Sequence, residues 1–285
     1  MPGLASFVAR VDALGREFYR DLPWRRTRDP YHVLLSEVML QQTQVARVVP
    51  HYDAWLAGFP TIDALAAAPL ARVLEEWQGL GYNRRAVALH RAAEQVAERF
   101  AGRLPADEEL LRTLPGIGPA TAAGVMAFAF ELPAVYLETN VRAVFLHEFF
   151  ADEDGVQDRD IVPLVSAALE EAALQGVGPR EWYYALLDYG AQLKRTLPNP
   201  SRRSAHHTRQ PRFEGSRRQK RAWLLREVIA RPALPAEEYA QAIAAAEGRA
   251  GRDAPVIDEV ESILDDLAAE GFLARDAESG AWSVA

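Results

Sequence analysis

An all-α fold in ten or more helical pieces, closed by a small winged-helix-like C-terminal domain, is predicted by three features of this 285-residue sequence. Apolar residues recur at three- and four-residue spacing through almost every segment, the pattern of a helix with one buried face. Pro, Gly, Asp or Thr mark the segment boundaries, as helix starts and stops require. Strand-like alternation is scarce and gathers at the C-terminus. With 49% hydrophobic and 25% charged residues, the composition is that of an ordinary globular chain with a sizeable core.

Taken in order, the spacing predicts helices over 5–19, 31–39, 43–57, 61–67, 70–77, 83–101, 107–113, 119–130, 139–150, 159–174 and 179–193. Periodicity then fails between Lys194 and Arg221, where Pro198, Pro200 and Pro211 interrupt any helix and ten Lys/Arg stand against the single acid Glu214. Residues 197–221 are read as a basic linker. Helices near 222–230, 236–247 and 256–270 follow, then two short strands around the turn Glu278-Ser279-Gly280. Three helices and a hairpin make the winged-helix-like domain of 222–285. From Leu224 onward it holds 13 acids and five bases, and its would-be recognition helix carries Asp258, Glu259, Glu261, Asp265 and Asp266. Phosphates would repel such a helix, so a packing or protein-partner role is expected there.

The absence of cysteine excludes disulfides, thiolate zinc sites and cysteine-ligated iron–sulfur clusters. No run of 18 uninterrupted apolar residues is present, and Met1 to Arg10 lacks the layout of a secretory signal, so no membrane partner and a cytoplasmic, nucleoid-associated location are expected. A net charge of −8 argues weakly against nucleic acid, but phosphate affinity depends on local charge.

The strongest motif is Leu114-Pro115-Gly116-Ile117-Gly118-Pro119-Ala120-Thr121-Ala122, set between two predicted helices. It has the form of a helix-hairpin-helix. Gly116 and Gly118 permit a tight turn with exposed backbone N–H groups, and the following helix offers its positive N-terminus, so a DNA phosphate can be gripped without side chains. Hairpin carbonyls can also hold a monovalent cation. A Gly-rich helix connection without a ligand gives the same pattern. About twenty residues on, Glu138 stands at a helix start, where an acid also serves as an ordinary cap. Earlier in the chain, Glu37 lies in an otherwise apolar helix, where partial desolvation raises a carboxyl pKa toward values useful for proton donation.

The string SEVMLQQTQV at 36–45 closely resembles the signature of MutY-type adenine DNA glycosylases, of the helix-hairpin-helix superfamily. The resemblance continues through Phe59-Pro60-Thr61, Trp77-Gln78-Gly79-Leu80-Gly81-Tyr82 and Ala185-Leu186-Leu187-Asp188-Tyr189-Gly190-Ala191, covering about 22–193. It implies a two-lobed fold, with one lobe from 1–26 and 135–196 and a six-helix lobe from 27–134. It implies that Glu37 protonates the departing base, that Glu138 stabilises the oxocarbenium ion, and that Asn140 organises water and carboxylate. Trp24, Arg25, Ala120 and Tyr184 would line the base pocket. Gln41, Gln42 and Tyr82 would enter the DNA stack or fill the gap left by a flipped base. Leu114, Gly116, Ile117, Gly118, Ala120 and Thr121 of the hairpin, with Arg202 and Arg203, would hold the backbone. Tyr82 is equally consistent with a core aromatic.

Departures from the family pattern are specific. No cysteine stands where four usually ligate a cluster, so no cofactor is expected, and Pro198 to Arg203 would replace the cluster loop. His206 and His207 in that loop read as solvent or phosphate contacts. Ala120 occupies the position of the lysine of strand-cleaving relatives and of a supporting Tyr or Ser, so lyase chemistry is not expected. Glu138 replaces the usual aspartate, and Tyr184 a Gln or Glu. A monomer is expected, acting on double-stranded DNA with a mispaired or damaged base: adenine opposite 8-oxoguanine or guanine first, thymine or uracil opposite guanine second, a catalytically inert damage binder third.

Overall fold

Helix-start residues convert the predicted periodicity into elements with defined ends. The computed structural model describes residues 3–205 and 212–285, and His206 and His207 lie outside the described residues. Its helices run in chain order as α1 (Leu4–Glu17), α2 (Pro30–Leu40), α3 (Val45–Gly58), α4 (Ile62–Ala66), α5 (Leu70–Glu76), α6 (Arg84–Phe100) and α7 (Glu108–Arg112). They continue as α8 (Pro119–Phe128), α9 (Thr139–Phe149), α10 (Asp158–Leu174), α11 (Pro179–Thr196), α12 (Arg217–Ala230), α13 (Ala236–Arg249) and α14 (Ile257–Ala269). Two 3-10 turns, Pro23–Arg25 and Pro200–Arg203, and the strands β1 (Leu273–Arg275) and β2 (Trp282–Val284) complete the chain. Asp29, Thr61, Asp107 and Ser216 each accept backbone N–H bonds at a helix start. The all-α expectation is met.

Two compact units emerge. The first takes the chain through Gln41 together with the segment from Arg103 through the 200–203 turn; the second takes Gln42–Gly102 with the C-terminal segment through Ala285. These units cut the chain at other places than the lobes expected from sequence. In particular, the C-terminal helices share a unit with α3 to α6, through α12 against α5 and Glu270 bound by Arg84 at 2.6 Å.

In the first unit, α1, α9 and α11 bury a cluster in which Phe7 meets Phe145, Phe149 and Trp182 edge-on. Asp188 of α11 is fully buried and receives Arg25 through both oxygens at 2.7 and 2.8 Å, with Arg20 on the same carboxylate. In the second unit, Trp55 packs edge-on against Phe59 and Trp77. β1 and β2 pair antiparallel in the register Leu273↔Val284, and Leu234 bridges to Trp282, giving the three helices and wing of the predicted C-terminal domain.

The expected linker loses its last residues to α12, which starts at Arg217 because Ser216 caps it and because acids await its cations. Arg217 binds Asp266, Lys220 binds Glu259 at 2.8 Å and Arg221 binds Glu270. The acidic α14 therefore neutralises the basic run inside one domain. Removing one partner of a buried ion pair leaves an uncompensated charge, so Asp188→Asn is expected to lower stability by about 3–5 kcal/mol. Urea unfolding with an unchanged midpoint would contradict the role given to this pair.

Candidate active site

Every residue of α2 from Val33 to Met39 is buried except Glu37, which keeps a partly covered surface. The helix packs on α8, and Gly124 of α8 faces the Glu37 carboxyl. A Cβ there would lie 2.4 Å from Glu37 Oε2 and 3.0 Å from the Tyr136 ring, so the carboxyl occupies space that only glycine leaves open. Burial pushes the Glu37 pKa up to about 8; a hydrogen bond from Tyr136 opposes the rise, and the negative charge of Glu138 adds to it. Glu37 is therefore mainly a neutral acid at pH 7, able to donate a proton.

Residues 131–138 form no regular element, and burial alternates along their middle. Ala134 and Tyr136 turn inward while Val135 is exposed, and Glu138 continues the inward row. Glu138 then caps α9, accepting the N–H groups of Asn140 and Val141, the latter at 3.0 Å. Asn140 Nδ2 donates to Glu138 Oε2 at 3.4 Å, and Asn140 Oδ1 accepts from Lys194 Nζ at 2.9 Å. Burial lowers the Lys194 pKa, and Glu138 partly restores it. The structure thus places Asn140 on Glu138, and Glu138 close enough to Glu37 to act on its charge.

The expected pocket residues form a wall. Tyr184 is stacked on Phe128 at 4.5 Å, and the Arg25 guanidinium lies over the same ring at 4.3 Å. Both Arg25 Nη groups bind Asp188, and the Arg180 guanidinium also lies over the Tyr184 ring, at 5.2 Å. Trp24 is buried in the turn before α2, and Ala120 is partly exposed at the start of α8. Tyr19, Arg16, Arg26, Arg28 and Arg180 join Arg25 and Tyr184 around a cleft of about 970 Å³.

At the hairpin, Leu114 and Ile117 are buried and Gly116 and Gly118 are exposed, so the former anchor the turn and the latter present backbone. Gly116 has φ +74°, a conformation glycine adopts without cost. Gly118 lies in ordinary extended space and a Cβ there would meet nothing within 4 Å. Thr121 receives Gln41 Nε2 at 3.0 Å.

In the second unit, Gln42 and Tyr82 both have left-handed backbones, φ +53° and +49°, and Tyr82 is 44% exposed. Arg85 joins their turns: it donates to Thr43 Oγ1 at 3.0 Å and to the Gly81 carbonyl at 2.9 Å, with its guanidinium over the rings of Trp77 and Tyr82. Strained non-glycine residues of this kind cluster at functional sites. Tyr82 is not a core aromatic.

The 200–203 turn fills the region where the family resemblance places a cluster. Pro200 and Ser201 are buried, Ser201 Oγ donates to the Thr139 carbonyl at 3.3 Å, and backbone bonds between Val156 and the 203–205 segment fix the turn. Among the described residues of this segment none offers a ligand for iron, so such a cluster does not fit there. Arg202 is exposed and Arg203 partly so.

The fold is that of a helical base-excision repair domain. Residues 35–164 match the family model of the HhH-GPD superfamily base excision DNA repair proteins, and the domain they form belongs to that superfamily. The chain is 42% identical over 168 residues to the adenine DNA glycosylase of Mycolicibacterium smegmatis, covering 56% of this chain and 57% of that protein. It is 35% identical over 223 residues to the adenine DNA glycosylase of Rattus norvegicus, covering 72% of this chain and 42% of that one. The chain spans about half the length of the curated relatives it matches. A thermostable thymine-DNA glycosylase shares the fold with TM-score 0.57 at 24% identity, covering 66% of this chain and 86% of that one.

Sequence reasoning did not single out Tyr136, Gly124, Lys194 or the partnership of Arg25 with Asp188. Tyr136 carries one signal, its place two residues before Glu138 in the sequence. Because the raised Glu37 pKa favours the protonated folded state, its stabilising effect is full below about pH 4.5 and lost as pH rises through about 8. Glu37→Gln is expected to match the parent near pH 5 and to exceed its stability by a few kcal/mol above pH 8, in thermal melts across that range. Parallel pH profiles would show the carboxyl to be ordinary.

Proposed function

We propose that this chain is a monofunctional DNA glycosylase that removes adenine mispaired with 8-oxoguanine or guanine. The observation that carries this reading is the Glu37 carboxyl, desolvated in the space left by Gly124, with Glu138 near it. Relatives named adenine DNA glycosylase support the choice of base. Glu37 donates its proton to a ring nitrogen of the extruded base while the C1′–N bonding pair leaves with the base. Glu138 stabilises the sugar cation, and water adds at C1′, its surplus proton returning to the Glu37 carboxylate. The hairpin backbone at Gly116 and Gly118 takes a phosphate, Arg202 and Arg203 add positive charge, and Gln42 and Tyr82 fill the duplex.

Lys194 is held by Asn140, and the hairpin helix offers Ala120 in place of an amine. That arrangement supports excision without lyase chemistry. Duplexes containing 8-oxoG:A, G:A, G:T, G:U or hypoxanthine, incubated and then treated with alkali, are expected to break at adenine, and borohydride is expected to trap no adduct. Breakage at thymine or uracil alone would replace the first reading with the second, and no breakage anywhere would leave a binding protein. Glu37→Gln is expected to abolish excision while DNA affinity changes less than about threefold.

Gly118→Ala gives a separate test of the hairpin, because nothing within the protein opposes the new methyl group. Melting temperature is expected to hold while DNA affinity falls about tenfold, roughly one lost phosphate contact. Unchanged affinity would remove this turn from the interface.

A further inference from the structure

Tyr136 stands in the most confined part of the first unit. Its ring meets Phe128 edge-on at 5.2 Å and Tyr183 at 5.4 Å. Its backbone N–H donates to the Tyr183 hydroxyl at 3.1 Å, and that hydroxyl donates to the Ala134 carbonyl at 2.6 Å. The residue is thereby clamped through both ring and backbone. The edge of its ring and the Glu37 carboxyl both border the space that the missing Cβ of Gly124 leaves open, which brings the phenol within reach of the carboxyl.

We propose that Tyr136 is a positioning residue that decides which oxygen of the Glu37 carboxyl carries the transferable proton. This deepens the glycosylase reading and rests on it. A carboxylic acid has two oxygens that can hold its hydrogen, and only one orientation presents it to a bound base. An oxygen that accepts the Tyr136 O–H is favoured as the bare carbonyl oxygen, so the proton resides on the other. The clamp on Tyr136 makes this choice permanent.

The same bond acts after proton transfer. Glu37 then becomes a carboxylate in a poorly solvated space with Glu138 nearby, and a phenol donor makes a charge-assisted bond to it. Burial and both carboxylates raise the Tyr136 pKa well above its ordinary value, so the phenol keeps its proton throughout. The ionisable groups facing Glu37 among the described residues are Tyr136, Glu138 and Tyr184. Of these, Tyr136 shares the space at Gly124 with the Glu37 carboxyl, which makes it the donor.

The test is Tyr136→Phe, which keeps the ring and removes the hydroxyl. In DNA-free protein with 13C-labelled glutamate, the Glu37 titration midpoint is expected to rise by about one unit relative to the parent. With the 8-oxoG:A duplex, single-turnover excision at pH 7 is expected to fall at least tenfold with DNA affinity unchanged, and the alkaline limb to move upward. An unmoved midpoint overturns the proposal, whatever the rate does. A parent inactive on every duplex would sink the glycosylase reading, while the titration would still decide the role of Tyr136. Should the phenylalanine variant not fold, fluorotyrosine placed at 136, a stronger donor, is expected to lower the midpoint, and no change overturns the proposal.

Discussion

A carboxyl group that keeps its proton near neutral pH needs a place poorly reached by water, and close helix packing ordinarily leaves no room for one. Gly124 supplies that room. Where any other residue would put a Cβ, Glu37 Oε2 lies 2.4 Å away. The helix that provides this socket is also the second helix of the hairpin. Thr121 takes Gln41, Gly124 takes Glu37, and Phe128 takes Tyr136 and Tyr184, at the three- and four-residue steps that align side chains on one helix face. A single helix therefore ties the glycine turn at its start to the acid and the aromatic wall along its length. Shifting that helix would disturb turn and socket together.

Charge is distributed by the same economy. The chain has a net charge of −8, yet its acids are not spread against every base. Asp266, Glu259 and Glu270 meet Arg217, Lys220 and Arg221 within the C-terminal helices, and Glu270 also holds Arg84. Such partly exposed pairs contribute little stability each, but they remove both signs from the field that a nucleic acid would feel. Elsewhere among the described residues Arg202 is exposed and Gly116 and Gly118 present bare backbone.

The helices were legible in the sequence because their signals are local: a capping residue, an apolar period, a Pro or Gly at the end. The C-terminal hairpin was legible for the same reason, with Gly280 in its turn. The start of α12 was not, since it depends on Ser216 and on acids some forty or more residues away that neutralise its cations. In the site, the two carboxyls and Asn140 could be named from motif, but not the groups that give Glu37 its acidity. Gly124 looks like any small residue in an apolar helix. Arg25 likewise could be placed near the site, whereas its commitment to Asp188 depends on a contact 163 residues distant in sequence.

How this domain holds Glu138 without a metal cluster follows from the same distant contacts. The N-terminus of α9 carries Glu138 and Asn140, and each flank of it is tied to a later segment. Lys194 reaches Asn140 from the last turn of α11, Ser201 reaches the Thr139 carbonyl from the 200–203 turn, and Arg142 binds Asp158 through both nitrogens at 2.8 Å. Val156 then clasps the turn by two backbone bonds, to Arg203 and from Ala205. A buried ammonium is costly unless paired, so Lys194 has reason to stay on Asn140 with Glu138 close by. Hydrogen bonds in this region tie the start of α9 to later segments, and Lys194 is part of that support.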